Sequence, residues 1–265
     1  PRLNWVTAYG GRHSIELMPL PNVEDKVEID MRDEAHWELD EWMPDGTGFL
    51  VHSFDSSEDT VTWWLMKVNN FDERIPLCTL PDLHQGGYRM VNWSPEGTAF
   101  ILLDSGGDAR REHSGVTIVH TDGSGCEELP EFGLFWHDVD FSWSPDGQRI
   151  VYSYRFWSSE YRRSSSLPET RILNLSTYET STVYAAIGSP IWFPDGDRIA
   201  LRFMVPDEEL PGTYDSGEDI LVVHADGSGL IKDVELPDGY RLADNWRQGH
   251  SWSPDGSRLA IALWK

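Results

Sequence analysis

One short pattern recurs five times in this chain: Trp42-Met43-Pro44-Asp45-Gly46, Trp93-Ser94-Pro95-Glu96-Gly97, Trp143-Ser144-Pro145-Asp146-Gly147, Trp192-Phe193-Pro194-Asp195-Gly196 and Trp252-Ser253-Pro254-Asp255-Gly256. Successive prolines stand 51, 50, 49 and 60 residues apart. Self-similarity at a fixed period means one supersecondary unit per repeat, each burying its apolar faces against its neighbours. A period of this length in a β-rich chain predicts an all-β fold, a β-propeller.

The copy within 141–154, FSWSPDGQRIVYSY, shows what one repeat dictates. Ser, Pro, Asp and Gly in succession match a type I turn: Pro presets φ, and Gly takes the left-handed position that rejoins the strands. Ile150, Val151, Tyr152 and Tyr154 then favour an extended chain. The motif is therefore a hairpin between a first strand ending at the Trp and a second strand. Third strands are expected over residues 61–68, 115–121, 170–175 and 219–225. Two of them run into near-identical turns, His120-Thr121-Asp122-Gly123-Ser124-Gly125 and His224-Ala225-Asp226-Gly227-Ser228-Gly229. Short fourth strands follow, for example over 127–130 and 233–236. Four antiparallel strands per repeat make one blade.

These motifs resemble the Pro-Asp variety of WD40-like repeat found in TolB-type propellers, over essentially the whole chain. Glu96 in place of Asp, and Met43 and Phe193 in place of Ser, are departures that a turn tolerates. The C-terminus offers a first and a second strand (249–252, 258–264), and the N-terminus offers segments like second, third and fourth strands (3–8, 14–18, 26–29). Five four-stranded blades are expected, over 35–80, 87–130, 137–185, 187–236 and a last one shared by 249–265 and 1–30, all in a single domain. Sharing a blade would close the ring and remove free edges. One second strand is left over, so a six-bladed or trimmed larger propeller is the alternative. The resemblance implies an extracytoplasmic bacterial setting and a protein or peptide partner.

Composition narrows the function. The net charge of −24, from 45 acidic and 21 basic residues, argues against nucleic acid, which needs clustered Lys and Arg. Most of that charge reads as a solvated surface. No apolar run is long enough to span a membrane, and no signal segment opens the chain, which begins at Pro1 as a processed or excised segment would. Cys78 and Cys126 lie about one repeat apart without a CxxC partner; they read as two buried thiols, with a bridge between neighbouring blades as the alternative. Zinc motifs, phosphate-cradling loops and a G-x-S-x-G elbow are absent, so no cofactor, metal or serine hydrolase site is expected.

Antiparallel order puts the S-P-D-G and D-G-S-G turns at one end of each blade and the long irregular loops (104–114, 155–167, 206–217 and 237–248) at the other. Variable loops on a rigid scaffold are where sites are built. Residues near the starts of the innermost strands are the binding candidates: Tyr88, Arg89, Trp136, His137, Asp138, Trp246, Arg247, Gln248 and His250, with His36 and Trp37 at the corresponding place in the first full repeat. Such aromatic, Arg and His side chains suit a peptide, a carboxylate or a sugar. The loop 154–166, YRFWSSEYRRSSS, is basic and aromatic on an acidic chain; Arg155, Trp157, Arg162 and Arg163 form a secondary docking candidate, against the alternative of a disordered connector. The expected function is a non-catalytic scaffold for a protein or peptide. The competing reading is a carbohydrate-active enzyme acting on an oligosaccharide through Asp40, Asp138, Asp140 and Asp244; the resemblance also implies metal-dependent lyases of acidic oligosaccharides, for which His137, Gln248 and His250 would supply part of the ligand set.

Overall fold

The computed structural model describes residues 3–5, 14–19, 27–31, 36–81, 88–105, 115–129, 141–154, 157–158, 163–164, 169–184, 190–206, 214–242, 250–253 and 257–265. Every regular element among them is a β-strand. The chain divides into two compact units, one of residues 1–108 and 115–130, the other of residues 109–114 and 131–265.

The first unit opens with β1 (Leu3–Trp5), β2 (Ser14–Pro19) and β3 (Val27–Asp30), which pair antiparallel in chain order. Next come two four-stranded antiparallel sheets. One holds β4 (His36–Trp42), β5 (Gly48–Asp55), β6 (Thr60–Lys67) and β7 (Asn70–Pro81); the other holds β8 (Tyr88–Trp93), β9 (Ala99–Ser105), β10 (Gly115–His120) and β11 (Cys126–Glu128). The β4–β7 sheet is covered on both faces. Phe49 and Val51 of β5 join a core with Ile15, Leu17, Ile29 and Met31, while Leu50, on the opposite face, joins Trp63, Leu77, Phe100 and Leu102. The run Phe49-Leu50-Val51 is therefore fully buried although its side chains alternate. Each such side chain stabilises the fold by roughly 1.5–3 kcal/mol.

The second unit contains β12 (Phe141–Trp143), β13 (Arg149–Tyr154), β14 (Trp157–Ser158), β15 (Arg163–Ser164), β16 (Glu169–Asn174) and β17 (Thr180–Tyr184). Strands β12, β13, β16 and β17 form a four-stranded sheet, and β14 pairs with β15 as a separate hairpin. Another four-stranded sheet holds β18 (Pro190–Trp192), β19 (Arg198–Pro206), β20 (Tyr214–His224) and β21 (Leu230–Glu235). Of the last strands, β22 (Arg241–Leu242), β23 (His250–Trp252), β24 (Leu259–Ile261) and β25 (Leu263–Trp264), β23 pairs with β24 and β22 with β25.

The repeated motif forms the expected turn. In four copies the glycine N–H donates to the carbonyl three residues back: Gly46 to Met43, Gly97 to Ser94, Gly147 to Ser144 and Gly196 to Phe193, at 2.9–3.0 Å. These glycines have φ of 67–77°, the region where a Cβ is strained. Neighbouring copies within a unit also interlock. Arg149 lies over the Trp192 ring at 4.7 Å and donates to the Gly196 carbonyl at 3.3 Å. A Cβ on Gly97 would meet the Pro44 ring at 3.4 Å.

Three sequence expectations need correction. Cys78 and Cys126 are not two thiols; they form a disulfide with Cα atoms 5.7 Å apart. It joins β7 to β11, the last strands of neighbouring sheets, a proximity that sequence spacing does not encode. The Ser-rich segment after β13 contains regular structure among its described residues, where Trp157 pairs with Ser164 and Ser158 with Arg163. The third strand of the last four-stranded sheet starts at Tyr214 rather than Asp219, since β19 runs on far enough to pair Pro206 with Tyr214 beyond a bulge.

The disulfide closes a loop between residues 48 apart in sequence, for which loop-closure entropy gives about 4 kcal/mol. Replacing both cysteines with Ala should lower the unfolding free energy by about 2–4 kcal/mol in denaturant titration, and reduction of the wild type should reproduce that loss.

Candidate functional site

Antiparallel order fixes which connections share an end of each sheet. In an antiparallel meander the first-to-second and third-to-fourth connections share one end, and the second-to-third connection lies at the other. The β12–β13 and β16–β17 turns thus occupy one end of their sheet, and the β14–β15 hairpin, inserted between β13 and β16, extends from the opposite end. Trp157 and Arg163 sit on that hairpin in adjacent register positions; Arg155 and Arg162 lie outside the described residues. Tyr88 and Arg89 open β8, opposite Ser105 and Asp104 of β9, at the end where β9 leads towards β10. His250 opens β23 opposite Ile261. Trp136, His137, Asp138, Trp246, Arg247 and Gln248 lie outside the described residues, as do Asp140 and Asp244.

Two sequence candidates are committed to packing. Trp37 stacks on Trp64 with ring centroids 5.6 Å apart, and Arg74 lies over it at 4.8 Å. The Trp64 indole N–H donates to Ser53 Oγ at 2.9 Å, fixing that ring in turn. Asp40, a carboxylate candidate, sits in a β-bulge: the β4–β5 register runs Glu38 to His52 and Leu39 to Val51, then resumes at Trp42 to Phe49. The bulge re-aims Asp40 so that its Oδ2 lies 2.8 Å from His52 Nδ1.

His52 is the feature that residue patterns did not reveal. Its other nitrogen, Nε2, is 3.6 Å from Glu38 Oε2, and its ring stacks on Trp63 at 5.0 Å. Trp63 in turn packs against Phe100 of the neighbouring sheet at 6.0 Å. The His52 and Asp40 side chains are each only 13% exposed. Burial, reinforced by the charge of Asp40, raises the Glu41 carboxyl above its ordinary value, although that side chain still reaches solvent. A carboxylate orienting a histidine is also how general bases are built. Here both ring nitrogens face carboxylates and one ring face is covered by Trp63, so the pair pins the bulge of β4 onto β5. The signal that could have found it is the polar His52 within the apolar run of β5, but its partner depends on a register that the bulge shifts.

The turn carboxylates serve the backbone. Asp45 is held below the usual carboxylate range by the Thr47 N–H and then the Thr47 hydroxyl, and Asp146 by the Ser144 hydroxyl and then the Gln148 N–H. For Asp195, partial burial pushes upward but is outweighed by the Asp197 N–H and by Arg198, which donates at 2.7 Å.

The fold has known counterparts among solved structures. The chain superposes on TolB from Acinetobacter baumannii with a TM-score of 0.50 and 14% identity, covering 93% of this chain and 53% of that one. It superposes on the β-propeller domain of the Trilobed protease from Pyrococcus furiosus, described as having an open velcro topology, with a TM-score of 0.56 and 11% identity, covering 95% and 71%. For an oligogalacturonate lyase from Vibrio parahaemolyticus the TM-score is 0.55 at 15% identity, covering 99% and 66%. The chain thus spans about half the length of that TolB. No family model and no curated protein matches the sequence.

His52→Ala should lower the unfolding free energy by about 2–3 kcal/mol, through the lost ring contact and the lost hydrogen bond to Asp40. His52→Phe, which keeps an aromatic ring on Trp63, should lose about half as much in the same denaturant titration.

Proposed function

We propose that this TolB-like β-propeller is a non-catalytic scaffold that binds a protein or peptide segment at the long-loop end of its sheets. The observation that carries the reading is the β14–β15 hairpin. The 14 residues between β13 and β16 are inserted where the sheet needs only a turn, since Tyr154 already pairs with Glu169. They hold Arg155, Arg162 and Arg163 against one acid, Glu160, on a chain of net charge −24, together with the aromatic Phe156, Trp157 and Tyr161. Arg and aromatic residues are the side chains that anchor interfaces. Tyr88, Arg89, Trp136, His137, Asp138, Trp246, Arg247, Gln248 and His250 complete the contact surface in this reading. The disulfide supports an extracytoplasmic setting, periplasmic or extracellular, because such bridges persist in oxidising compartments.

Cross-linking pull-downs from the source organism's extracts test the surface. Wild-type protein should recover a partner that the Trp157→Ala/Arg163→Ala and Trp136→Ala/Trp246→Ala variants lose by tenfold or more, with melting temperatures unchanged. Equal recovery by all three baits rejects this face.

The reading also takes the chain as one ring of five blades, the last shared by residues 249–265 and 1–30. Support comes from the two-stranded β23–β24 pair and the three-stranded β1–β3 sheet, each short of a full blade. Deleting residues 1–30 should then abolish the slow hydrogen exchange of 259–264. Retained protection in the truncated chain would point to the six-bladed or open alternative.

A further inference from the structure

We propose that Asn174 is an acceptor for an N-linked glycan. The chain contains two Asn-X-Ser sequences, Asn92-Trp93-Ser94 and Asn174-Leu175-Ser176, and the structure separates them. Asn174 closes β16 and opens the turn to β17, whose residues Ser176, Thr177 and Tyr178 are exposed. The turn is tight: Tyr178 N–H donates to the Asn174 carbonyl at 2.9 Å, and Tyr178 takes a φ of 56°.

The carboxamide of Asn174 is oriented by this turn. Its Oδ1 accepts from the Ser176 N–H at 2.9 Å, the Ser176 hydroxyl at 2.7 Å and the Thr177 N–H at 3.2 Å. Two backbone N–H donors require an oxygen at that position, so they settle which end of the amide is which. The nitrogen Nδ2, the atom that carries a glycan, makes no hydrogen bond among the described residues. The residue that completes the acceptor sequence is thus the one that holds the amide oxygen and turns the nitrogen away.

Asn92 has the opposite setting. It lies within β8, paired with Ile101 of β9, and Ser94 is only 4% exposed, its hydroxyl accepting the Ala99 N–H at 3.0 Å. A glycan there would obstruct a sheet interior; one at Asn174 would lie at the short-turn end, opposite the β14–β15 hairpin.

The reaction is a condensation with a lipid-pyrophosphate-linked oligosaccharide. A bond forms between Asn174 Nδ2 and the anomeric carbon, the bond from that carbon to the pyrophosphate oxygen breaks, and the displaced amide proton leaves with the lipid pyrophosphate. Such transfer takes place on exported chains, the same compartment class that keeps the Cys78–Cys126 bridge.

The test is secretion of the full chain from a eukaryotic host that transfers N-glycans. Intact mass should show one glycan, removed by peptide N-glycosidase F with conversion of Asn174 to Asp in the peptide map. Asn174→Gln and Ser176→Ala should each lose it, Asn92→Gln should keep it, and the glycosylated protein should melt within about 2 °C of Asn174→Gln. An unmodified Asn174 beside a normally glycosylated control protein overturns the proposal. So does a glycan at Asn174 found only in aggregated protein lacking the disulfide. Neither result bears on partner binding by the hairpin.

Discussion

An antiparallel sheet with apolar side chains on both faces is stable only when something covers each face, and that requirement organises each unit of this molecule. The β4–β7 sheet meets it with two separate cores, one against β1–β3 and one against β8–β11. The second contact is carried by a relay of rings: His52 on Trp63, Trp63 on Phe100, and Phe100 on Trp93 at 5.1 Å. The disulfide fastens the same two sheets at their far strands, so their spacing is fixed at both ends of the contact. In the second unit, Val151, Ile172 and Val183 of one sheet share a core with Ile199, Leu201 and Val223 of the next, and the Arg149–Trp192 contact seals the turn end.

The repeated turns show how such a contact survives sequence drift. Two side-chain hydrogen bonds recur in these turns. A serine oxygen accepts an N–H across the hairpin, as Ser94 does from Ala99, Ser144 from Arg149 and Ser253 from Arg258. An aspartate accepts the N–H two residues on, as Asp45 does from Thr47, Asp146 from Gln148 and Asp195 from Asp197. Where Met43 or Phe193 replaces the serine, the aspartate bond remains. Where Glu96 replaces the aspartate, the Ser94 bond remains. Each of these copies keeps at least one of the two, and Gly46, Gly97, Gly147 and Gly196 all take a left-handed φ.

This local redundancy explains what could be read from the chain beforehand. Turn chemistry and alternation are properties of adjacent residues, so the four four-stranded sheets and their register-setting hairpins were legible. The bridge between Cys78 and Cys126 was not, because it depends on two fourth strands meeting in space. The Asp40–His52 pair was hidden for a related reason: Glu38 is the register partner of His52, and Asp40 reaches the same ring from within the bulge between Leu39 and Trp42. The β14–β15 hairpin was masked by its serines, which weaken every periodic signal although two residues on each side suffice to pair.

The acidity of the chain can now be divided. Asp45, Asp55, Asp122, Asp146, Asp195 and Asp226 all have carboxyls held below their ordinary range, and each accepts hydrogen bonds from the turn it occupies. These charges are therefore consequences of turn geometry, because a carboxylate is the strongest short acceptor for the N–H groups a tight turn leaves unpaired. A repeat fold multiplies its turns and so multiplies such acids at the turn ends. Five of these six carboxylates sit in the first-to-second and third-to-fourth turns of their sheets, and Asp55 sits in the β5–β6 turn at the other end of its sheet. The β14–β15 hairpin, by contrast, pairs through extended backbone alone, Trp157 with Ser164 and Ser158 with Arg163.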